Sequence, residues 1–365
     1  MRRILLTPGP VEVSEQVLHA MARPPISHRS PEFSELLEAI VERLKDIYST
    51  QGHVTVLPGG GTTAVDAMVH SFVGRNSRVL GVAAGEFGER MAESARRTGA
   101  LVDVVSFSWG DPASVGVVEE RVDAGAYDVV LIVHNETSTG MLQSDLEELA
   151  RRLCGRVGAI LVDAVSSLGA AEIRVDEWCL DAVASASHKA LGSVPGVSFV
   201  AVGEDSLGKM RGSPALGMDL RTFIRFYEER RQTPYTPAIN ALYALDKALE
   251  IVEEKGIDAW IRMYRERASM VYREATRLGV KPLVSLEQYR SPTVAVFKTP
   301  PGVDAGRIVK GLADRGFIIG RGMGPLRDKT VRMGLMGAIS SESLVEAVRS
   351  MAEIVHKLSQ EARTP

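Results

Sequence analysis

The chain has 365 residues, 45% hydrophobic and 24% charged, which is length and composition enough for two domains around a sizeable core. A net charge of −3 gives no broad positive field for nucleic acid or an anionic membrane, and Cys154 and Cys179 read as structural thiols that make neither a disulfide framework nor a metal-ligand cluster. No apolar run approaches a membrane span, and Met1-Arg2-Arg3-Ile4 lacks the apolar core of a signal peptide, so a soluble cytoplasmic protein is expected.

In chain order, Leu5-Leu6-Thr7-Pro8-Gly9-Pro10 is too proline-rich for regular structure and reads as an extended arm. Ser14 is placed to cap a short helix through Met21, and Arg23–Pro31 is irregular. From Glu32, the residues Phe33, Leu36, Leu37, Ile40, Val41, Leu44 and Ile47 repeat at helical spacing. A strand over Val54–Leu57 then runs into Pro58-Gly59-Gly60-Gly61-Thr62-Thr63, and a helix opens from that turn. Glycines there let backbone N–H groups approach a phosphate at a helix N-terminus. The Lys-Ser/Thr ending of a P-loop is missing. The loosened dinucleotide fingerprint G-x-G-x-x-A is matched, with Glu86 at the distance of a ribose-binding acid, so a nicotinamide dehydrogenase competes at this point.

Strand and helix keep alternating. Strands Arg78–Ala83, Val102–Phe107, Asp128–Val133, Ala159–Val162 and Ala182–Ser185 each end in a polar or glycine-rich cluster. Ser144 and Glu147 have the spacing of a capping box for a helix over Leu146–Leu153. The pattern predicts a mainly parallel sheet with its site at the carboxyl edge. Lys189 stands just beyond the apolar run of Ala182–Ser185, before a Gly/Pro-rich turn and strand Val197–Val202. A lysine so placed loses hydration and becomes a candidate nucleophilic amine. Beyond an aromatic and basic stretch, Arg221–Tyr227, and a rigid loop, Gln232–Pro237, a long helix from Ile239 stops at Gly256. The division expected is an arm over 1–13, a large domain over 14–255 and a small α+β domain over 256–365.

Separate strand ends thus offer a phosphate cradle (Gly60, Gly61, Thr62), a flat apolar face (Phe87), a carboxylate (Asp163) and an amine (Lys189). Pyridoxal phosphate needs all four: donors for phosphate, a stacking partner, an acid beside the pyridine nitrogen, and a lysine for its aldehyde. The segments T-P-G-P at Thr7–Pro10, G-G-G-T at Gly59–Thr62, G-E-F-G-E-R at Gly85–Arg90 and N-E-T-S-T-G at Asn135–Gly140 carry a resemblance. So do V-D-A-V-S-S-L-G at Val162–Gly169, S-A-S-H-K-A-L at Ser185–Leu191, T-P-Y-T-P at Thr233–Pro237 and V-R-M-G-L-M-G at Val331–Gly337. Across nearly its whole length the chain resembles the class V branch of the fold-type I pyridoxal-phosphate aminotransferases, the alanine–glyoxylate and serine–pyruvate aminotransferase family.

The resemblance implies a seven-stranded α/β large domain with a smaller C-terminal α+β domain. It implies that Lys189 carries the internal aldimine and shuttles the proton, and that Asp163 pairs with the pyridine nitrogen. Val165 would lie beneath the ring and Phe87 above it. Gly60, Gly61, Thr62 and His188 would line the phosphate side, and Thr137 the ring hydroxyl. Thr236, with Thr233, would reach the phosphate of a neighbouring subunit, making the enzyme a homodimer. Arg332 would clamp the substrate carboxylate, with Pro8 and Gly9 closing over it. Taken alone, Arg332 reads as a solvated strand arginine, and His134, His188 and His28-Arg29 read as ordinary polar residues.

The expected reaction is transamination between alanine or serine and pyruvate or glyoxylate, with no nucleic-acid or membrane partner. Phosphoserine or 2-aminoethylphosphonate transamination is the alternative. It needs further cations for a second anion, and Arg29, Arg225, Arg230, Arg231 and Arg327 are available. Cysteine desulfuration is disfavoured because no cysteine follows Cys179.

Overall fold

Strands Val129–Val133 and Ala159–Asp163 are buried at every residue, as strands covered by helices on both faces must be. In the computed structural model, which describes residues 3–362, they form the centre of a seven-stranded sheet. Its order is His53–Gly59, Gly196–Val202, Ala182–Ala186, Ala159–Asp163, Val129–Val133, Arg78–Ala83 and Leu101–Ser106. From Ala182–Ala186 to Leu101–Ser106 all neighbours are parallel. Gly196–Val202 runs antiparallel to both its neighbours. The mainly parallel expectation holds, with one reversed strand.

Alternate residues of each strand feed opposite faces. Val130, Ile132, Ile160 and Val162 pack under helices Pro31–Tyr48, Leu146–Leu153 and Ile239–Lys255. Val129, Leu131, Ala159 and Leu161 pack under Gly61–Phe72, Glu86–Arg97 and Leu220–Arg230. The last of these helices falls in the aromatic and basic stretch. It forms because Leu220, Phe223 and Ile224 share one face and are buried together.

The small domain has a three-stranded antiparallel sheet, ordered Val294–Lys298, Thr330–Gly334 and Gly320–Arg321. Helices Ile257–Arg277, Ala305–Asp314 and Ser341–Glu361 close its core. Gly256, at φ 79°, turns the chain from helix Ile239–Lys255 into Ile257–Arg277. The N-terminal arm is fastened to this domain. Ile4–Leu5 pairs in parallel with Phe317–Ile318, and the Gly334 N–H donates to the Leu6 carbonyl at 2.7 Å.

Two local expectations are corrected. The capping box does not form: Asp145 takes the N-cap position of Leu146–Leu153 without a side-chain cap, and its carboxylate accepts from the Tyr289 hydroxyl instead. Cys154 and Cys179 are not free thiols but a disulfide. The helix end at Cys154 and the left-handed turn at Cys179 (φ 63°) bring their Cα atoms to 5.9 Å, within bridging range.

Candidate active site

Helices Gly61–Phe72 and Glu86–Arg97, with the strand ends that carry Asp163 and Lys189, wall a cavity of about 480 Å³. Gly61, Thr62, Phe87, Asp163, Val165, His188 and Lys189 all line it. Lys189 is half-buried on a loop that closes on itself. Ser187 Oγ donates to the carbonyls of Val194 (2.6 Å) and Val197 (2.9 Å), and the Gly192 N–H donates to the Lys189 carbonyl at 2.9 Å. Burial, aided by the nearby Arg332 charge and opposed by Asp163, lowers the Lys189 amine to about 8. Asp163, the last residue of its strand, is pushed the other way. Burial raises it to about 6, against the pull of the Val165 N–H, Lys189 and Arg90. One oxygen accepts from the Val165 N–H at 2.9 Å, which aims the carboxylate. Between those two values both groups are charged.

Gly60 is the N-cap of helix Gly61–Phe72, so the first-turn N–H groups face an anion site. A Cβ on Gly61 would lie 2.5 Å from Val165 Cγ1, so only glycine lets Val165 sit at the cavity floor. His188 stands beside the same turn, its Cε1 3.6 Å from where a Gly60 Cβ would be. Burial and Lys189 lower it to about 4, and its Nδ1 is buried without a partner. A neutral imidazole with an open ring nitrogen is therefore available there.

Phe87, second residue of helix Glu86–Arg97, is positioned by a carboxylate that sequence reading passed over. Buried Glu136 accepts from the N–H groups of Phe87 (3.1 Å) and Gly88 (3.2 Å). Its other oxygen accepts from the Ser138 N–H at 3.1 Å, and Ser138 Oγ accepts from the Glu86 N–H at 3.1 Å. The signal was present as acid and hydroxyl residues directly after an apolar strand. Arg90 was also passed over. It lines the cavity, donates to Thr62 Oγ1 at 3.2 Å and stands 5.2 Å from the Phe87 ring centroid.

Arg332, on strand Thr330–Gly334, donates through Nε to the Arg321 carbonyl at 2.7 Å. Burial holds its guanidinium below the usual range, with Glu136 opposing. Pro8 lies against this strand, its Cδ and the Arg332 Nη2 both within 3.6 Å of a Cβ placed on Gly320. The Pro8 carbonyl accepts from Lys189 Nζ at 2.7 Å. Gly9 passes so close that a Cβ would come within 3.0 Å of the Lys189 side chain. The arm, the lysine and the arginine thus meet.

Gly60, Pro8, Gly9 and Arg332 stand beside the cavity lining rather than in it, and other expected site residues also lie outside it. Thr137 is buried and shares a 2.7 Å hydrogen bond with Ser166 Oγ, outside the cavity lining. Thr233 donates to the Tyr235 carbonyl at 2.8 Å, and Thr236 is exposed. Neither lines this chain's cavity. Their loop is held by Arg29, which donates to the carbonyls of Thr233 (2.7 Å) and Pro234 (3.0 Å). Arg29, Arg225, Arg230, Arg231 and Arg327 are likewise absent from the lining. Glu86, offered as a ribose-binding acid, faces Gly324, a Cβ on which would lie 3.4 Å from its carboxylate and 2.6 Å from Trp109.

Residues 11–342 match the family model of the class-V aminotransferases. The chain belongs to this family. Similar to it over 97% of its length is the crystal structure of an aspartate aminotransferase of subgroup IV from Thermus thermophilus, at 32% identity and a TM-score of 0.89, with 99% of that chain covered. An alanine–glyoxylate aminotransferase structure from a Nostoc species is similar at 29% identity and a TM-score of 0.91, covering 97% of this chain and 95% of that one. A serine–glyoxylate aminotransferase of Arabidopsis thaliana is 28% identical over 97% of this chain and 90% of its own. The protein is therefore a pyridoxal-phosphate-dependent aminotransferase, and the dehydrogenase reading of the glycine turn is set aside. This aminotransferase has the large sheet domain and small C-terminal α+β domain of its relatives.

Proposed function

We propose that this aminotransferase moves the amino group of a small L-amino acid, alanine or serine, to pyruvate or glyoxylate. One observation supports the reading above the others: Lys189 and Asp163 line one cavity, one shifted down to about 8 and the other up to about 6. The donor set fits pyridoxal phosphate. There is a helix N-terminus for the phosphate, an unpartnered His188 Nδ1 beside it, a carboxylate with one oxygen engaged, and Phe87 and Val165 as apolar walls. When bound, that group supplies an aldehyde and an electron-withdrawing ring that stabilises negative charge at the substrate's α-carbon.

The chain's own residues do the rest. With its value near 8, the Lys189 amine is deprotonated more readily at neutral pH than an ordinary lysine. It can therefore take a proton from the α-carbon and return one, as base and then acid. Asp163 stays charged above about 6 and holds a proton on the pyridine nitrogen. Arg332 has outer nitrogens available for the substrate carboxylate, which sets the α-carbon against Lys189. Gly60, Gly61, Thr62 and His188 would take the phosphate side, and Thr137 would serve the ring hydroxyl from outside the lining. Pro8 and Gly9 close the substrate side.

A homodimer completes the site in this reading. Thr236, exposed and outside the lining of its own cavity, is offered with Thr233 to the neighbouring subunit in the cytoplasm. Phosphoserine or 2-aminoethylphosphonate is the alternative donor: Arg29, Arg225, Arg230, Arg231 and Arg327 lie outside this chain's own cavity lining, but Arg29 holds the loop offered to the neighbouring subunit. Aspartate is the second reading, resting on Arg90 as a cation in the lining. The test is the visible absorbance of the loaded protein on adding L-alanine, L-serine, L-aspartate or L-phosphoserine. Rapid bleaching by alanine or serine, restored by pyruvate or glyoxylate, supports the proposal. Faster bleaching by aspartate or phosphoserine replaces it.

A further inference from the structure

The chain leaves the sheet at Ala186 and must hold Lys189 at a fixed angle to the cavity with a loop rich in glycine and serine. Its own domain secures the start of this loop, through Ser187 Oγ. The other end is secured from the small domain. Trp260 Nε1 donates to the Ala190 carbonyl at 3.1 Å, and Tyr264 Oη donates to the same oxygen at 2.8 Å. Ala190 follows Lys189 directly, so its carbonyl fixes the turn of chain from which the lysine side chain departs.

The donors are themselves well held. Trp260 and Tyr264 are one helical turn apart on helix Ile257–Arg277 and pack edge to face, with centroids 5.9 Å apart. Tyr264 is fully buried, and its hydroxyl also accepts from the Gly337 N–H at 3.4 Å. From the same helix, Arg267 donates to the carbonyls of Gly337 (3.0 Å) and Ile339 (2.9 Å). One hydroxyl therefore joins the lysine loop to the segment that follows the Arg332 strand. Two directional donors on one buried oxygen restrict a flexible loop more than apolar packing of equal area does. Supporting hydrogen bonds of this kind keep a reacting group within a fraction of an ångström of its working position.

We propose that Trp260 and Tyr264 of the small domain are positioning residues for Lys189, acting through the carbonyl of Ala190. The inference rests on the reading of Lys189 as the reacting amine. The small domain thus carries Arg332 on its own strand and a hold on Lys189 through the Ala190 carbonyl, so a displacement of that domain acts on both residues.

The experiment compares wild type, Trp260→Phe, Tyr264→Phe, the double variant and Lys189→Ala, all full length. Turnover is measured on loaded protein, and the pH dependence of lysine reductive methylation, resolved by peptide mapping, on cofactor-free protein. In the double variant kcat falls about ten-fold while KM for the amino donor stays within about two-fold. The methylation midpoint of Lys189 rises from about 8 toward the ordinary lysine range, because a loosened loop regains water. A double variant with wild-type kcat and midpoint, whatever its unfolding temperature, overturns the proposal. Should that variant not fold, Trp260→Phe is read on the same measurements, since it keeps a ring and removes one N–H donor. If Lys189→Ala retains turnover, the reading of the lysine fails and this inference falls with it. Loss of turnover in Lys189→Ala with unchanged Trp260 and Tyr264 variants overturns this inference alone.

Discussion

Replacing Arg332 by Gln separates binding from folding more cleanly than other changes in this site. The guanidinium is oriented by one bond, Nε to the Arg321 carbonyl. Two charge-assisted bonds to a substrate carboxylate, at roughly 1.5–3 kcal/mol each, place the loss at about 3–6 kcal/mol. That corresponds to a fall in kcat/KM of about two to four and a half orders of magnitude. Both half-reactions suffer, because amino donor and 2-oxo acid each carry the carboxylate. Stability moves the other way or not at all. Removing a buried cation that burial already disfavours leaves Glu136 its own N–H and hydroxyl partners. Stopped-flow bleaching by alanine, recovery with pyruvate or glyoxylate, and a thermal melt of the same sample check all three. A variant that loses less than about five-fold, or loses only one half-reaction, refutes the clamp.

Four further outcomes are expected. In cofactor-free protein, lysine-directed methylation of Lys189 rises with pH through about 8; Asp163→Asn removes the charge that favours the ammonium form, so its midpoint drops below wild type, and a rise would contradict the pairing. Gly61→Ala forces a Cβ within 2.5 Å of Val165 Cγ1, so equilibrium dialysis shows cofactor binding weakened by about ten-fold or more, in line with overpacking costs of roughly 1–3 kcal/mol. Cys154→Ser, opening a link across 25 positions, removes about 3 kcal/mol of chain-entropy stabilisation and lowers the melting temperature without changing cofactor uptake. Mixing inactive Thr236→Ala and Lys189→Ala proteins under subunit exchange restores up to about a quarter of wild-type turnover if Thr236 serves the neighbouring site; no recovery rejects the shared site.

Most of the fold was legible because the sequence repeats its signals. The apolar runs at Val129–Val133 and Ala159–Asp163 can only be buried strands, and the 3.6-residue rhythm from Phe33 to Ile47 can only face a core. Of the cavity-lining residues, Gly61, Thr62, Phe87, Asp163 and Lys189 were legible because each lies within four residues of the end of a strand, whereas Val165 and His188 came from the family resemblance. A polar residue or glycine there breaks an apolar pattern and leaves a visible mark.

Other features have no local mark. The Cys154–Cys179 bridge depends on where a helix end and a distant turn meet. Glu136 looks like any acid in a loop until the N-terminus of helix Glu86–Arg97 arrives above it. Trp260 and Tyr264 read as one face of an amphipathic helix, and their bonds to Ala190 span 70 and 74 positions. Local sequence sets which segments become strands and helices, because periodicity and turn chemistry act over a few residues. Which polar group satisfies which buried donor is decided only when the elements pack, because unpaired groups in a low-dielectric interior are costly and partners are taken from wherever the fold brings them.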